Sequence, residues 1–161
     1  MIHIRNVWVI PATLVMAFIL TVLPLPDWAG PLRPEWVSMV TLYWCLAIPR
    51  NFGVGTAWVI GIFLDVSFGS LLGQHALGLC VIAYVASRLH QQIRIAPLGQ
   101  QAMVVTVLLL VKQTLGLWVY GVIGQLPEQV LLYYVPSAMA LILWPWAFVI
   151  LRDIRRRYRI S

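Results

Sequence analysis

Charged residues are scarce in this sequence. They make up 10% of its 161 residues, whereas hydrophobic residues make up 61% and the mean hydropathy is +0.89. Soluble domains carry roughly 25% charged residues, so this deficit excludes an ordinary soluble fold. Because a helix needs roughly 20 apolar residues to cross a bilayer, the length accommodates about six spans and leaves almost nothing for a soluble domain. We therefore expect an all-α polytopic membrane protein.

Residues that commonly build metal and catalytic sites are equally scarce, with two cysteines and three histidines. Cys45 and Cys80 both fall inside apolar stretches, without a second Cys or His at ligand spacing. This pattern supports neither a disulfide framework nor a zinc site. The sequence also lacks a Ser/His/Asp set, an HExxH motif and paired carboxylates at helical spacing. We expect no catalytic residue, no metal and no cofactor.

Basic residues outnumber acidic ones, giving a formal net charge of +6. They lie at the ends of apolar runs rather than on one face of a soluble module, which argues against nucleic acid as a partner. One side of the predicted topology collects nine arginines and the other side only Arg33. The positive-inside rule then places both termini in the cytoplasm (N-in/C-in). The nine are Arg5, Arg50, Arg88, Arg94, Arg152, Arg155, Arg156, Arg157 and Arg159.

The last ten residues, 152–161, are predicted to form a basic cytoplasmic tail of the single membrane domain 1–161. Arginines near a membrane surface set topology and bind anionic lipid. An anionic-lipid anchor is the expected role, and contact with a cytoplasmic protein is the alternative. The five arginines concerned are Arg152, Arg155, Arg156, Arg157 and Arg159.

Charges and Pro/Gly clusters divide the chain into six predicted spans: 7–23, 36–48, 52–66, 76–87, 101–124 and 130–151. The second and third spans are short, at about 20 and 22 Å of helix against a hydrocarbon core of about 30 Å. Either their flanking stretches extend them, or the pair forms a partly submerged hairpin shielded by other helices. We expect the extension, because helical spans are the commoner solution.

Small residues recur at an interval of four in and after the third span. On a helix such positions form a strip that lets neighbouring backbones approach closely. The strip comprises Gly53, Ala57, Gly61, Asp65, Gly69 and Gly73. A buried carboxylate within it is costly, so Asp65 has two interpretations. The expected one is a cap that accepts backbone N–H bonds at an outer turn; the other is a proton or ligand site.

Lys112 lies in the middle of the fifth span, too deep to reach either surface easily. It therefore needs a partner inside the bundle. Similar depths make an ion pair with Asp65 one hypothesis. Gln113, Thr114 or a carbonyl freed by a proline are the alternatives.

The last span contains Trp144, Pro145 and Trp146. Proline removes one backbone hydrogen bond and bends a helix. A bent, aromatic-rich helix is a candidate partner-binding surface, and an ordinary proline-kinked span explains the pattern equally well.

Several of these features occur in the order that is typical of one bacterial family. They are Arg33-Pro34 and Trp36 opening the second span, Tyr43-Trp44, Pro49-Arg50, Gly53, Gly55, Gly61, Asp65, Gly69, Leu72, Gly73, Tyr84 and the final "LWPWAFVILR". In this order the chain resembles the rod shape-determining protein MreD family in its proteobacterial form, over nearly its whole length. Lys112 matches no pattern of that family.

The resemblance implies a multi-pass protein of the bacterial inner (cytoplasmic) membrane that belongs to the elongation machinery. Its expected partners are MreC first, then the MreB filament, RodA and a class B penicillin-binding protein, with a homodimer left open. The family is not known as catalytic. Its fold is similar to the six-helix substrate-binding components of energy-coupling-factor transporters.

We therefore expect a non-catalytic scaffold that binds MreC and supports lateral peptidoglycan synthesis and rod cell shape. The residues expected to contact a partner are Trp144, Pro145 and Trp146, with Asp65, Gly69 and Gly73 shaping the outer turn. The alternative is a small-molecule or lipid-binding transport component of energy-coupling-factor type. A polar, hollow interior would favour that alternative, whereas an interior closed by Trp, Leu and Phe would favour the scaffold.

Overall fold

The computed structural model describes residues 8–24, 26–28, 35–50, 52–69, 72–124 and 128–158. These residues contain helices and no strand, which confirms the predicted all-α class. The helices are α1 (Val9–Val22), α2 (Trp36–Ala47), α3 (Val54–Phe68), α4 (Gln74–Ile95), α5 (Leu98–Val122), α6 (Val130–Tyr133) and α7 (Val135–Arg157).

Helix α2 lies at the centre of the bundle. Ten of its 12 residues are buried, and it contacts α1, α4, α5 and α7. Met39, Leu42 and Trp44 are fully buried, because an apolar helix surrounded by helices has no face left for solvent. The Trp44 ring N–H donates to the Thr13 hydroxyl at 3.0 Å, which joins α2 to α1.

The central helix is also the shortest of the main helices. Its 12 residues give about 18 Å at 1.5 Å per residue. Glu35 and Ile48 flank it outside the helix, and Leu32, Arg33 and Pro34, which were expected to extend the second span, lie outside the described residues. Extension is partial in α3, which ends at Phe68, where the left-handed residue Gly69 (φ +64°) terminates it.

Two helices run further than the predicted spans. Helix α4 continues to Ile95, through a polar stretch that hydropathy had assigned to a loop at 88–100. Arginine, glutamine and leucine are good helix formers, so the loss of hydrophobicity does not end the helix. Helix α7 includes the first part of the predicted tail. Arg155, Arg156 and Arg157 occupy its last turn, where their positive charge interacts favourably with the negative end of the helix dipole. Arg5, Arg33 and Arg159 lie outside the described residues.

Two stretches are long and apolar enough to cross a membrane, by length and composition. They are Leu98–Val122, which is α5, and Val130–Arg157, which joins α6 and α7. Helices α1, α2 and α3 are apolar but shorter.

Helices α3 and α4 pack closely through the small-residue strip, but only part of the strip takes part. Ala57, Gly61 and Asp65 are buried on one face of α3. A Cβ added to Gly61 would lie 2.2 Å from the Ala76 Cα, so the two backbones nearly touch. Gly69 and Gly73 have positive φ angles and no atom within 4 Å of an added Cβ. These two glycines therefore serve the turn and not the packing, because L-residues rarely adopt that backbone conformation.

Replacing Gly61 by alanine is expected to destabilise the bundle by about 1–3 kcal/mol, because the new methyl overlaps the α4 backbone and α3 must move away. The matched control is Gly55→Ala on the same helix, where an added Cβ meets nothing within 4 Å. The measurement is the unfolding of the purified protein in detergent. Equal stability of the two variants would contradict the close α3–α4 approach.

Candidate functional site

Side chains from six helices meet at the end of the bundle where α1 and α3 finish and α2, α4 and α7 begin. They surround a cavity of about 160 Å³, which we call the polar pocket. Two pairs of charged or titratable groups lie in or beside it, Glu35 with Lys112 and Asp65 with His75. Its lining consists of Thr21, Glu35, Val37, Ser38, Leu64, Phe68, His75, Lys112 and Pro136.

The intramembrane lysine of the sequence prediction has an ion-pair partner. The Lys112 ammonium donates to Glu35 Oε2 at 3.2 Å, with the side chains 8% and 18% exposed. The lysine stem runs over Gly78, where an added Cβ would lie 2.6 Å from its Cγ. The hypothesised Asp65–Lys112 pair is therefore wrong. Because α2 is short, its first turn lies deep in the bundle and brings Glu35 to the level of the lysine.

Asp65 joins the end of α3 to the beginning of α4. Its Oδ2 accepts the Gly73 backbone N–H at 2.7 Å, and its Oδ1 accepts the His75 backbone N–H at 2.8 Å. The His75 Nδ1 lies 2.8 Å from the same Oδ1. The carboxylate therefore accepts backbone N–H groups, as the capping hypothesis requires, and the donors among the described residues are Gly73, which directly precedes α4, and His75 in its first turn. Such N–H groups have no partner within their own helix and carry partial positive charge.

A second polar contact links α5 to the start of α7. The Gln113 Nε2 donates to the Tyr133 carbonyl at 2.9 Å, and the Ser137 hydroxyl donates to Gln113 Oε1. The Thr114 and Tyr134 hydroxyls lie 3.0 Å apart beside them. Gln113 and Thr114 were the alternative partners considered for Lys112. They bond instead to Tyr133, Tyr134 and Ser137, at the junction of α6 and α7.

An apolar groove of about 640 Å³ lies between α1 and α7, and we call it the α1–α7 groove. Val40 and Trp36 of α2 form part of its wall. At one end the Trp8 and Tyr158 rings meet edge to face at 5.6 Å. Small residues let a helix approach its walls closely. The α1 and α7 lining is Trp8, Val9, Ala12, Thr13, Met16, Ala17 and Leu20, with Ala147, Ile150, Leu151, Asp153, Ile154, Arg157 and Tyr158.

The residues that the sequence singled out on α7 lie outside this groove. Trp144 is fully buried and packs against Phe148, with ring centroids 6.1 Å apart, so it belongs to the core. Trp146 is 72% exposed, and Pro145 lies inside α7. The contact residues predicted from the sequence therefore lie on α7 but not in the lining of the groove. A signal was available in the spacing of Ala147, Ile150, Leu151 and Ile154, which recurs on one helical face.

The described residues contain no group of three or more His, Cys, Asp or Glu that could hold a metal ion. Cys45 is buried and Cys80 is half-buried, and both are free thiols.

The Glu35–Lys112 pair is open to a double-mutant cycle. Glu35→Gln and Lys112→Met are each expected to destabilise the protein, because each leaves a largely buried charge without its counter-charge. The double variant should lose about 1–3 kcal/mol less than the sum of the single losses. The control cycle combines Lys112→Met with Glu128→Gln, since Glu128 is exposed and bonded to no lysine in the described residues. Unfolding in detergent gives the free energies, and strict additivity for Glu35 and Lys112 would contradict the pair.

Asp65→Asn is expected to destabilise the α3–α4 junction by about 1–3 kcal/mol. An amide has one acceptor oxygen where the carboxylate has two, so the N–H donors of Gly73 and His75 can no longer be satisfied on both sides. Ser67→Ala is the control on the same helix, since its exposed hydroxyl donates to the Phe63 carbonyl within α3. Thermal unfolding compares the two, and an Asn variant as stable as the Ser67 control would argue against the cap.

Comparisons with known proteins agree on one family. The family model described as rod shape-determining protein MreD matches residues 3–154. The curated rod shape-determining protein MreD of Haemophilus influenzae is 32% identical over 151 residues, which cover 91% of this chain and 90% of that protein. No solved structure matches the chain.

Proposed function

This chain belongs to the rod shape-determining protein MreD family and has a role in rod shape determination, and from this premise we propose that it is a non-catalytic inner-membrane scaffold that binds MreC. In this role it supports lateral peptidoglycan synthesis as part of the elongation complex. RodA, a class B penicillin-binding protein and MreB are the further proposed members of that complex.

The proposed membrane location is supported by the side chains on the outside of the bundle. Trp118 is 76% exposed, Val122 87%, Leu131 86% and Ile142 65%. Apolar surface of this extent is unfavourable in water and favourable in lipid. The arginines of α4 and α7 cluster at the opposite end from the polar pocket, which supports the N-in/C-in orientation with that pocket toward the outside.

The α1–α7 groove is the observation that carries the MreC proposal. From Trp8 to Leu20 it follows α1 for about 18 Å, which is more than half of a hydrocarbon core of about 30 Å. Its walls combine alanines with exposed apolar side chains such as Met16 and Ile150, which are 58% and 55% exposed. A groove of this kind fits one transmembrane helix. In lipid there is no hydrophobic driving force between helices, so association depends on van der Waals packing, and small residues allow the close approach that this packing needs. We assign it to the membrane helix of MreC.

The interior supports the scaffold more than a transport component of energy-coupling-factor type. Trp44, Trp144, Met39 and Leu42 close the centre of the bundle and are fully buried. The polar pocket measures about 160 Å³, whereas ligand pockets usually measure about 300–1,000 Å³. Its lysine and glutamate already bind each other, so neither charge is left over for a ligand.

Ile150→Trp is expected to reduce the MreC that co-purifies with the protein from detergent-solubilised membranes by about tenfold, because a bulky ring in the groove removes the space for a packed helix. Ile142→Trp is the matched control, since Ile142 is on the same helix, is 65% exposed and lies outside the groove lining. Met16→Trp repeats the test from the α1 wall.

The proposal fails if the Ile150 and Ile142 variants recover MreC equally while both remain folded. It fails more broadly if the wild-type protein recovers no MreC. Recovery of a stoichiometric small molecule with no protein partner would favour the transport alternative.

A further inference from the structure

We propose that the cytoplasmic end of the bundle contains a specific oxyanion site, formed by Tyr43 of α2 and Arg152 of α7, that binds the phosphate of an anionic phospholipid. This inference rests on the proposed membrane location, but not on MreC binding. The sequence predicts only a general attraction of the basic tail to anionic lipid, whereas this inference assigns lipid binding to two particular residues.

Two buried donors lack an acceptor at this place. The Tyr43 side chain is 2% exposed, and its hydroxyl has no hydrogen-bond partner among the described residues. The Nε of Arg152 is also buried and without a hydrogen-bond partner there. Buried polar groups are nearly always hydrogen-bonded, and leaving one unpaired costs about 1–3 kcal/mol. Two unpaired donors therefore point to an occupant that supplies acceptors.

The side chains of Tyr43 and Arg152 both contact the same aromatic ring, that of Phe148. The Tyr43 ring meets the Phe148 ring edge to face, with centroids 5.6 Å apart. The Arg152 guanidinium carbon lies 5.9 Å from the centre of the same Phe148 ring. Since α2 ends at Ala47, only four residues beyond Tyr43, the hydroxyl lies near the cytoplasmic end of the central helix.

The charge around the tyrosine hydroxyl is positive. Four guanidinium groups act on it electrostatically, those of Arg155, Arg152, Arg94 and Arg156. They come from two helices, α4 and α7, which both extend past the end of α2. A hydroxyl donor and convergent arginines form the donor set that phosphate prefers, because guanidinium–phosphate bonds are charge-assisted. The place of the site, at the arginine-rich end of apolar helices, favours a lipid headgroup as the source of that phosphate.

The test measures lipid retained by the purified full-length protein in detergent. The protein is mixed with equal amounts of phosphatidylglycerol and phosphatidylcholine of the same acyl chains, and native mass spectrometry counts the bound molecules. The wild type is expected to retain the anionic lipid in clear excess. Arg152→Gln should lower that retention about tenfold and Tyr43→Phe a few-fold, because each removes a donor to a charged acceptor.

Two further variants make the result specific. Arg157→Gln removes the same charge from a residue that lines the α1–α7 groove, and it should leave retention within about twofold of wild type. Arg152→Lys keeps the charge and lacks the Nε donor, so an intermediate loss is expected. Melting temperatures in lipid-free detergent identify any variant that fails to fold, and Arg152→Lys then carries the test.

Equal losses in Arg152→Gln and Arg157→Gln would show a diffuse basic surface and overturn the site. Equal retention of the two lipids, or an Arg152→Lys variant identical to wild type, would also overturn it. Stabilisation by inorganic phosphate without any effect of phosphatidylglycerol would assign the site to a free anion and overturn the lipid source. Failure of MreC to co-purify would leave these lipid measurements unchanged.

Discussion

The length of α2 is the constraint on which the other features depend. A helix of about 18 Å cannot match its longer neighbours α4, α5 and α7, so both of its ends lie inside the bundle. At one end Glu35 meets Lys112, and at the other Tyr43 lies beneath the arginines of α7. Helix α1 packs mainly on α2, and the space between α1 and α7 becomes the groove.

Charges within the bundle are arranged in pairs, which explains how they persist in an apolar protein. Transferring an ion from water into the bundle interior is unfavourable in free energy, and a counter-charge together with hydrogen bonds offsets much of that desolvation penalty. Lys112 has Glu35, and Asp65 has the first turn of α4 together with His75. The Glu35–Lys112 pair joins residues 77 positions apart and the Asp65–His75 pair joins the consecutive helices α3 and α4, so the same contacts that neutralise charge also fix the bundle. This arrangement suits a rigid scaffold better than a hollow binding protein.

The sequence predicted the helical class and the approximate position of each main helix, because apolar runs and Pro/Gly breaks report local structure directly. It missed the polar half of α4, since hydropathy measures affinity for lipid while Arg94 and its neighbours still favour helix. The lysine's need for a partner followed from its depth, but Glu35 is 77 residues away and was assigned to a loop. The α1–α7 groove depends on how three helices pack together, which single-helix patterns do not report.

Hydrogen–deuterium exchange of the purified protein in detergent tests the central place of α2 most directly. Amides of Val37–Leu46 should exchange more slowly than any other described segment, because opening α2 requires separation from four neighbouring helices. Helix α3, which packs mainly on α4, should exchange faster. Exchange in α2 as rapid as in α3 would contradict the account. The central helix would then not be protected by its neighbours and could not fix the positions of the sites at its ends.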